Sequence, residues 1–116
     1  MSDVTIYHNP RCSKSRQTLA LLAQQGIKSE VIEYLKTPPT PDTLRTIINQ
    51  LGISPRQLLR KGEAIYKELN LADESLSDEQ LIQAMFTHPK LIERPIVISN
   101  NKAKIGRPPE AVLDII

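Results

Sequence analysis

Cys12 is the single cysteine of the chain, and it stands at a junction where a thiol can be made reactive. Ahead of it, Val4-Thr5-Ile6-Tyr7 is a β-branched and aromatic run that predicts a buried strand. His8-Asn9-Pro10-Arg11 then breaks that run with turn residues. Behind the cysteine, Ser13-Lys14-Ser15-Arg16 leads into Leu19, Leu22 and Ala23 at helical spacing. A thiol at a helix start meets unpaired backbone N–H groups and the positive end of the helix dipole, and both favour the thiolate. Lys14 and Arg16 add positive charge, Ser15 is placed to donate a hydrogen bond to the sulfur, and His8 lies across the same loop. Each such contribution is on the order of 0.3–1 kcal/mol. A lone cysteine is more often a small buried hydrophobe, but this location and these neighbours reverse the odds. The expectation is a nucleophilic thiolate.

Two further features could act on what the sulfur attacks. Arg94-Pro95 precedes a strand, and a proline entering a strand beside an active loop can hold a cis bond, although trans is the commoner state. Arg60, Arg94 and Arg107 carry planar forks suited to tetrahedral oxyanions, and only the fold can bring them together. Arg56, Arg60 and Lys61 read equally well as a solvated face or as an anion-binding group. His88 reads as a loop or helix-end residue, and Met85 and Phe86 as core. One Cys and two His at unrelated spacing do not make a zinc site.

The elements that must position these residues can be read from period and punctuation. The helix after Cys12 closes at Gly26, and Val31-Ile32-Glu33-Tyr34 predicts a second strand, which completes a βαβ unit. Thr40-Pro41 starts a helix with Leu44, Ile47, Ile48 and Leu51 on one face, ended by Gly52. Ser54-Pro55 starts a short helix carrying Leu58, Leu59 and Arg60. Ser77-Asp78-Glu79-Gln80 is a capping box for a helix with Leu81, Ile82, Met85 and Phe86 on its apolar face. Ile96-Val97-Ile98 and Lys102-Ala103-Lys104-Ile105 flank turn residues and predict a hairpin, and Pro108-Pro109 opens a final short helix over 110–115. The order is βαβ, a helical block, then ββα. This is one α/β domain over 1–116 with a helical insertion at about 40–88.

Composition narrows the function classes. The formal net charge of +2, from 15 Lys+Arg against 13 Asp+Glu, is too small for a dedicated nucleic-acid binder. Aromatic residues at 3% make base stacking a poor expectation. One cysteine excludes an internal disulfide and suits a reducing compartment. No apolar run approaches a membrane span, and Met1-Ser2-Asp3-Val4-Thr5 does not read as a secretion signal, so a cytoplasmic protein is expected.

His8-Asn9-Pro10-Arg11-Cys12-Ser13-Lys14-Ser15-Arg16, with Thr18-Leu19 behind it, resembles the active loop of glutaredoxin-coupled arsenate reductases of the thioredoxin fold. The likeness runs on through Leu59-Arg60, Glu63-Ala64 and Tyr66 to Pro89-Lys90-Leu91-Ile92-Glu93-Arg94-Pro95-Ile96. It ends with Ile105-Gly106-Arg107-Pro108-Pro109. The sequence departs from the best-known reductases at Ser13-Lys14, where they usually carry Gly-Thr. The resemblance implies a thioredoxin-like mixed sheet, with Cys12 as nucleophile and Arg60, Arg94 and Arg107 holding the oxyanion. It also implies that Pro95 is cis and that His8 supports the thiolate, while Ser15 stands as a supporting residue from its place in the loop alone. Arsenate would be the substrate, glutathione a co-substrate rather than a bound cofactor, and glutaredoxin the protein that regenerates the enzyme. No metal, nucleic acid or membrane is implied, a monomer is expected, and arsenic detoxification would be the role. The absence of a second thiol agrees, since the resolving thiol must come from outside the chain.

Two other readings share the thiol. A regulator of the Spx type that binds RNA polymerase typically carries Cys-x-x-Cys, and here Ser15 occupies the second position. A general glutathione-dependent thiol oxidoreductase would need the thiolate but not the three arginines. A phosphatase loop of the Cys-x5-Arg type is excluded, because Thr18 stands where its arginine belongs.

Overall fold

The computed structural model describes residues 4–116, so the reading of Met1-Ser2-Asp3 lies outside the described residues. Two compact units are formed. Residues up to 37 join 94–116 in a sheet unit, and residues 38–93 make a helical unit.

The sheet unit comprises β1 (Val4–His8), α1 (Ser13–Gln24), β2 (Glu30–Glu33), β3 (Ile96–Ser99) and β4 (Lys102–Ile105), closed by a 3₁₀ segment at Pro109–Asp114. The strand order is β2-β1-β3-β4. β1 pairs in parallel with β2, as a βαβ crossover requires, and the other two pairings are antiparallel. Gly26 follows α1 at φ +73°, a left-handed position that glycine takes without a Cβ penalty. The β3–β4 turn uses Asn100 at φ 54° and Asn101 at φ 62°. Two successive left-handed residues match the twist of a tight hairpin, and asparagine tolerates that region. Val4, Ile6, Leu22, Val97, Val112 and Ile115 form the core of this unit, so strand, helix and 3₁₀ segment all bury their apolar sides together.

Register decides what gathers at one end of this sheet. Tyr7 pairs with Ile96, and Ile96 pairs with Ile105. One step beyond those rungs stand His8, Pro95 and Gly106. The Gly106 N–H donates to the Pro95 carbonyl at 2.9 Å, which carries the pairing that one step further. The loop to Cys12 leaves from the same level. Arg94 and Arg107 are the neighbours of Pro95 and Gly106 in sequence, so three strands bring Cys12, Arg94 and Arg107 to one edge of the sheet.

In the helical unit lie α2 (Pro41–Leu51), α3 (Pro55–Leu58), α4 (Ala64–Glu68) and α5 (Asp78–Thr87), with a 3₁₀ turn at Pro89–Leu91. Thr40 caps α2 by accepting from the Thr43 N–H, and Gly52 ends it at φ +71°. The expected capping box at Ser77 and Gln80 is present, and a second joins Ser54 to Gln57. α2 buries Leu44, Ile47 and Ile48, and α5 buries Leu81, Ile82 and Met85.

Three local expectations are corrected. Phe86 is 36% exposed rather than core, because Leu81, Ile82 and Met85 already fill the buried stripe of α5. α3 stops at Leu58; Leu59 forms a β-bridge with Ile92, and the Arg60 N–H donates to the Leu91 carbonyl at 2.8 Å. The final segment is 3₁₀, with Ala111 N–H bonded to Pro108 O and Ile115 N–H to Val112 O. Among the described residues, no helix is long and apolar enough to cross a membrane.

Candidate active site

Cys12 is the N-cap residue of α1, in extended conformation at φ −94° and ψ 123°. Its N–H donates to the Asn9 carbonyl at 3.0 Å and its carbonyl accepts from the Arg16 N–H at 3.0 Å. The first bond closes the turn and the second opens the helix, so the thiol sits where unpaired N–H groups begin. Cys12 is only 8% exposed.

The charged group at the sulfur is Arg107, whose Nη2 lies 3.7 Å from Sγ. Arg107 is aimed by a second bond, from its Nε to the Arg94 carbonyl at 2.9 Å. The Nε and Nη1 of Arg94 are closed off from solvent. The Arg107 guanidinium thus lies within hydrogen-bond reach of a sulfur at a helix N-terminus.

His8 and Ser15 do something other than expected. Ser15 is fully buried, and its Oγ is bonded to His8 Nδ1 at 2.6 Å and accepts from the Asn9 N–H at 3.0 Å. Among the described residues the hydroxyl therefore serves the loop rather than the sulfur. Burial lowers the pKa of His8 from the usual histidine value; the Glu33 carboxylate opposes that shift and Arg16 reinforces it. The imidazole, bonded to a buried hydroxyl, ties the end of β1 to the first turn of α1. Asn9 Oδ1 accepts from the Arg11 N–H at 3.0 Å, and Arg16 Nη1 donates to the Pro10 carbonyl at 3.0 Å. The loop is thus held at four points around Cys12.

The Arg94–Pro95 peptide is cis, and so is Arg107–Pro108, which nothing in the sequence had singled out. Gly106 was also missed. A Cβ built there would stand 2.5 Å from Thr18 Oγ1 and 2.8 Å from Pro95 Cγ, so only glycine lets β4 run this close to α1. A lone glycine between Ile105 and Arg107 at the end of a strand was the available signal.

Arg60 belongs to the helical unit. Its Nη1 lies 3.3 Å from Glu63 and its Nε 3.6 Å from Glu93, so two carboxylates already surround its charge. Among the described residues, no group of three or more His, Cys, Asp or Glu could hold a metal ion.

A model of the ArsC family matches residues 7–115. The chain is 61% identical over 114 residues to the protein YfgD of Escherichia coli (strain K12), covering 97% of this chain and 96% of that one. It is 51% identical over 116 residues to an arsenate reductase of Escherichia coli, covering 100% of this chain and 82% of the relative. The solved structure of an arsenate reductase from Vibrio cholerae matches with a TM-score of 0.96 at 57% identity, over 97% of each chain. A match of this extent, on a sheet and loop of this geometry, fixes the fold as thioredoxin-like. The chain belongs to the ArsC family.

Proposed function

We propose that this protein is an arsenate reductase that uses glutathione and is regenerated by glutaredoxin. The observation that carries the reading is the 3.7 Å approach of Arg107 Nη2 to Cys12 Sγ at the start of α1. A thiolate beside a fixed guanidinium is suited to attack an electrophilic centre whose oxygens are negatively charged, because the cation serves both partners. The names of the relatives direct that chemistry to arsenate.

In the first step the Cys12 thiolate attacks arsenic and one oxygen leaves as water, giving a Cys12–S–As(V) adduct. Arg107, Arg94 and the first N–H groups of α1 hold the remaining oxygens. Arg60 enters this proposal through the sequence resemblance alone. A glutathione thiolate then attacks the Cys12 sulfur. The S–As bond breaks with its electron pair going to arsenic, which takes up the thiol proton and departs as arsenite. Cys12 is left in a mixed disulfide with glutathione. A glutaredoxin thiol accepts the glutathionyl group and restores the Cys12 thiol, so two thiols are oxidised for each arsenate reduced. His8 and Ser15 keep the loop in place while the sulfur changes partners.

The test is NADPH consumption with arsenate, glutathione, glutaredoxin and glutathione reductase, comparing wild type with Cys12→Ser. Arsenate-dependent turnover present in the first and lost in the second is expected. No turnover by the wild type, alongside an alkylatable Cys12, would move the thiol to another substrate.

A further inference from the structure

A cavity lies beside the loop that leads to Cys12. β1 and β2 run in parallel and end level with each other, His8 pairing with Glu33. The segments that follow them diverge and enclose a cavity of about 350 Å³. His8, Asn9 and Arg11 line one side, and Glu33, Leu35 and Lys36 the other. That volume lies at the small end of the range for ligand sites, roughly 300–1,000 Å³. The space outside the carboxyl ends of parallel strands is where α/β sheets bind ligands.

The charges of this cavity form a pattern. Arg11 supplies a guanidinium that makes no hydrogen bond or ion pair among the described residues. Lys36 lies 3.6 Å from Glu33 across a pair whose side chains are 79% and 43% exposed, so the contact is weak and exchangeable. Two cations and one anion leave the lining one positive charge in excess. A ligand that matches each of them carries two carboxylates and one ammonium, with a net charge of −1. Leu35, 39% exposed, offers an apolar side chain for the methylenes between those groups. Arg11 immediately precedes Cys12 in the chain.

We propose that this groove is the binding site of the thiol co-substrate, a γ-glutamyl peptide of glutathione's charge pattern. Its carboxylates lie on Arg11 and Lys36, and its ammonium on Glu33. The assignment rests on the reductase reading, because that reading is what requires an external peptide thiol. It goes further by placing that thiol on a particular wall of the molecule and by giving each of its charges a partner.

The experiment uses Cys12→Ser protein and S-methylglutathione, which can neither reduce nor form a disulfide. Titration calorimetry gives the affinity, and the His8 imidazole resonances report the place. Saturable binding that shifts His8 is expected. Lys36→Glu and Arg11→Ala should each weaken it at least tenfold, whereas Lys28→Glu, an equal charge change outside the groove, should alter it less than twofold. Absence of saturable binding overturns the proposal, and so does equal weakening by Lys36→Glu and Lys28→Glu, which would mark mere charge attraction. Binding by this pattern without arsenate turnover leaves the groove standing and removes arsenate. Turnover without such binding removes the groove and leaves the reductase.

Discussion

Adding one methyl group at Gly106 should disable the site without touching any reacting atom. The new carbon would lie 2.5 Å from Thr18 Oγ1, 2.8 Å from Pro95 Cγ and 3.2 Å from Thr18 Cγ2. Thr18 is fully buried and its hydroxyl is bonded to the Lys14 carbonyl at 2.8 Å, while Pro95 is buried at the entry to β3. Neither can swing aside, so the backbone at 106 must retreat by about 1 Å to reach ordinary contact. Arg107 is the next residue, and the same retreat stretches its 3.7 Å approach to Cys12 Sγ beyond hydrogen-bond range. Overpacking of this kind costs about 1–3 kcal/mol, and a small domain loses roughly 4–8 °C in Tm per kcal/mol. Gly106 does not occupy the left-handed region, so the cost is steric rather than conformational. Gly106→Ala should therefore lower Tm and slow Cys12 alkylation by iodoacetamide near neutral pH. Thr18→Ala in the same chain removes two of the three close atoms and should return part of both losses, a non-additivity that a double-mutant cycle measures. A Gly106→Ala protein with wild-type Tm and wild-type alkylation would refute the idea that this contact sets the position of Arg107.

Two other perturbations separate the roles of the loop and the arginines. Because burial lowers the folded-state pKa of His8, the unfolded chain binds the proton more readily. Stability should thus fall as pH drops below the ordinary histidine value of about 6.5 and level off below the folded value; Tm against pH should show a shallower slope in His8→Asn over that window. Arg94→Ala removes a guanidinium but keeps the backbone carbonyl that holds Arg107 Nε. It should raise the KM for arsenate by roughly 10–100-fold, the value of a charge-assisted hydrogen bond, while Cys12 alkylation stays within about threefold. Equal losses in the two assays would point to a collapsed site instead.

Local physics made much of this fold readable. Thr40-Pro41, Gly52, the Ser77–Gln80 box and Asn100-Asn101 each have a conformational reason that acts within a few residues, and each marks a boundary in the structure. The position of Cys12 at a strand-to-helix junction was legible for the same reason, since that junction is a local event. What was not legible depends on register and on contacts far apart in sequence. The pairing of Ser15 with His8 turns a hydroxyl away from the sulfur, and nothing near Ser15 in the chain announces that choice. The need for glycine at position 106 comes from Thr18 and Pro95, which reach it only once three strands are in register. The hydrogen bonds of Arg107 to Cys12 and to Arg94 are likewise products of the sheet. Phe86 fits a helical apolar stripe yet lies outside the packed face, because three neighbours had already filled it.

The most direct test of the central claim is a single turnover without glutaredoxin. Reduced protein is mixed with arsenate and glutathione, arsenite is counted, and the protein is weighed intact by mass spectrometry. One arsenite for each Cys12 and a glutathionyl disulfide on that residue are expected, with neither product from Cys12→Ser. Arsenite released at the same level by Cys12→Ser, or a Cys12 disulfide that forms equally well with arsenate left out, would contradict it.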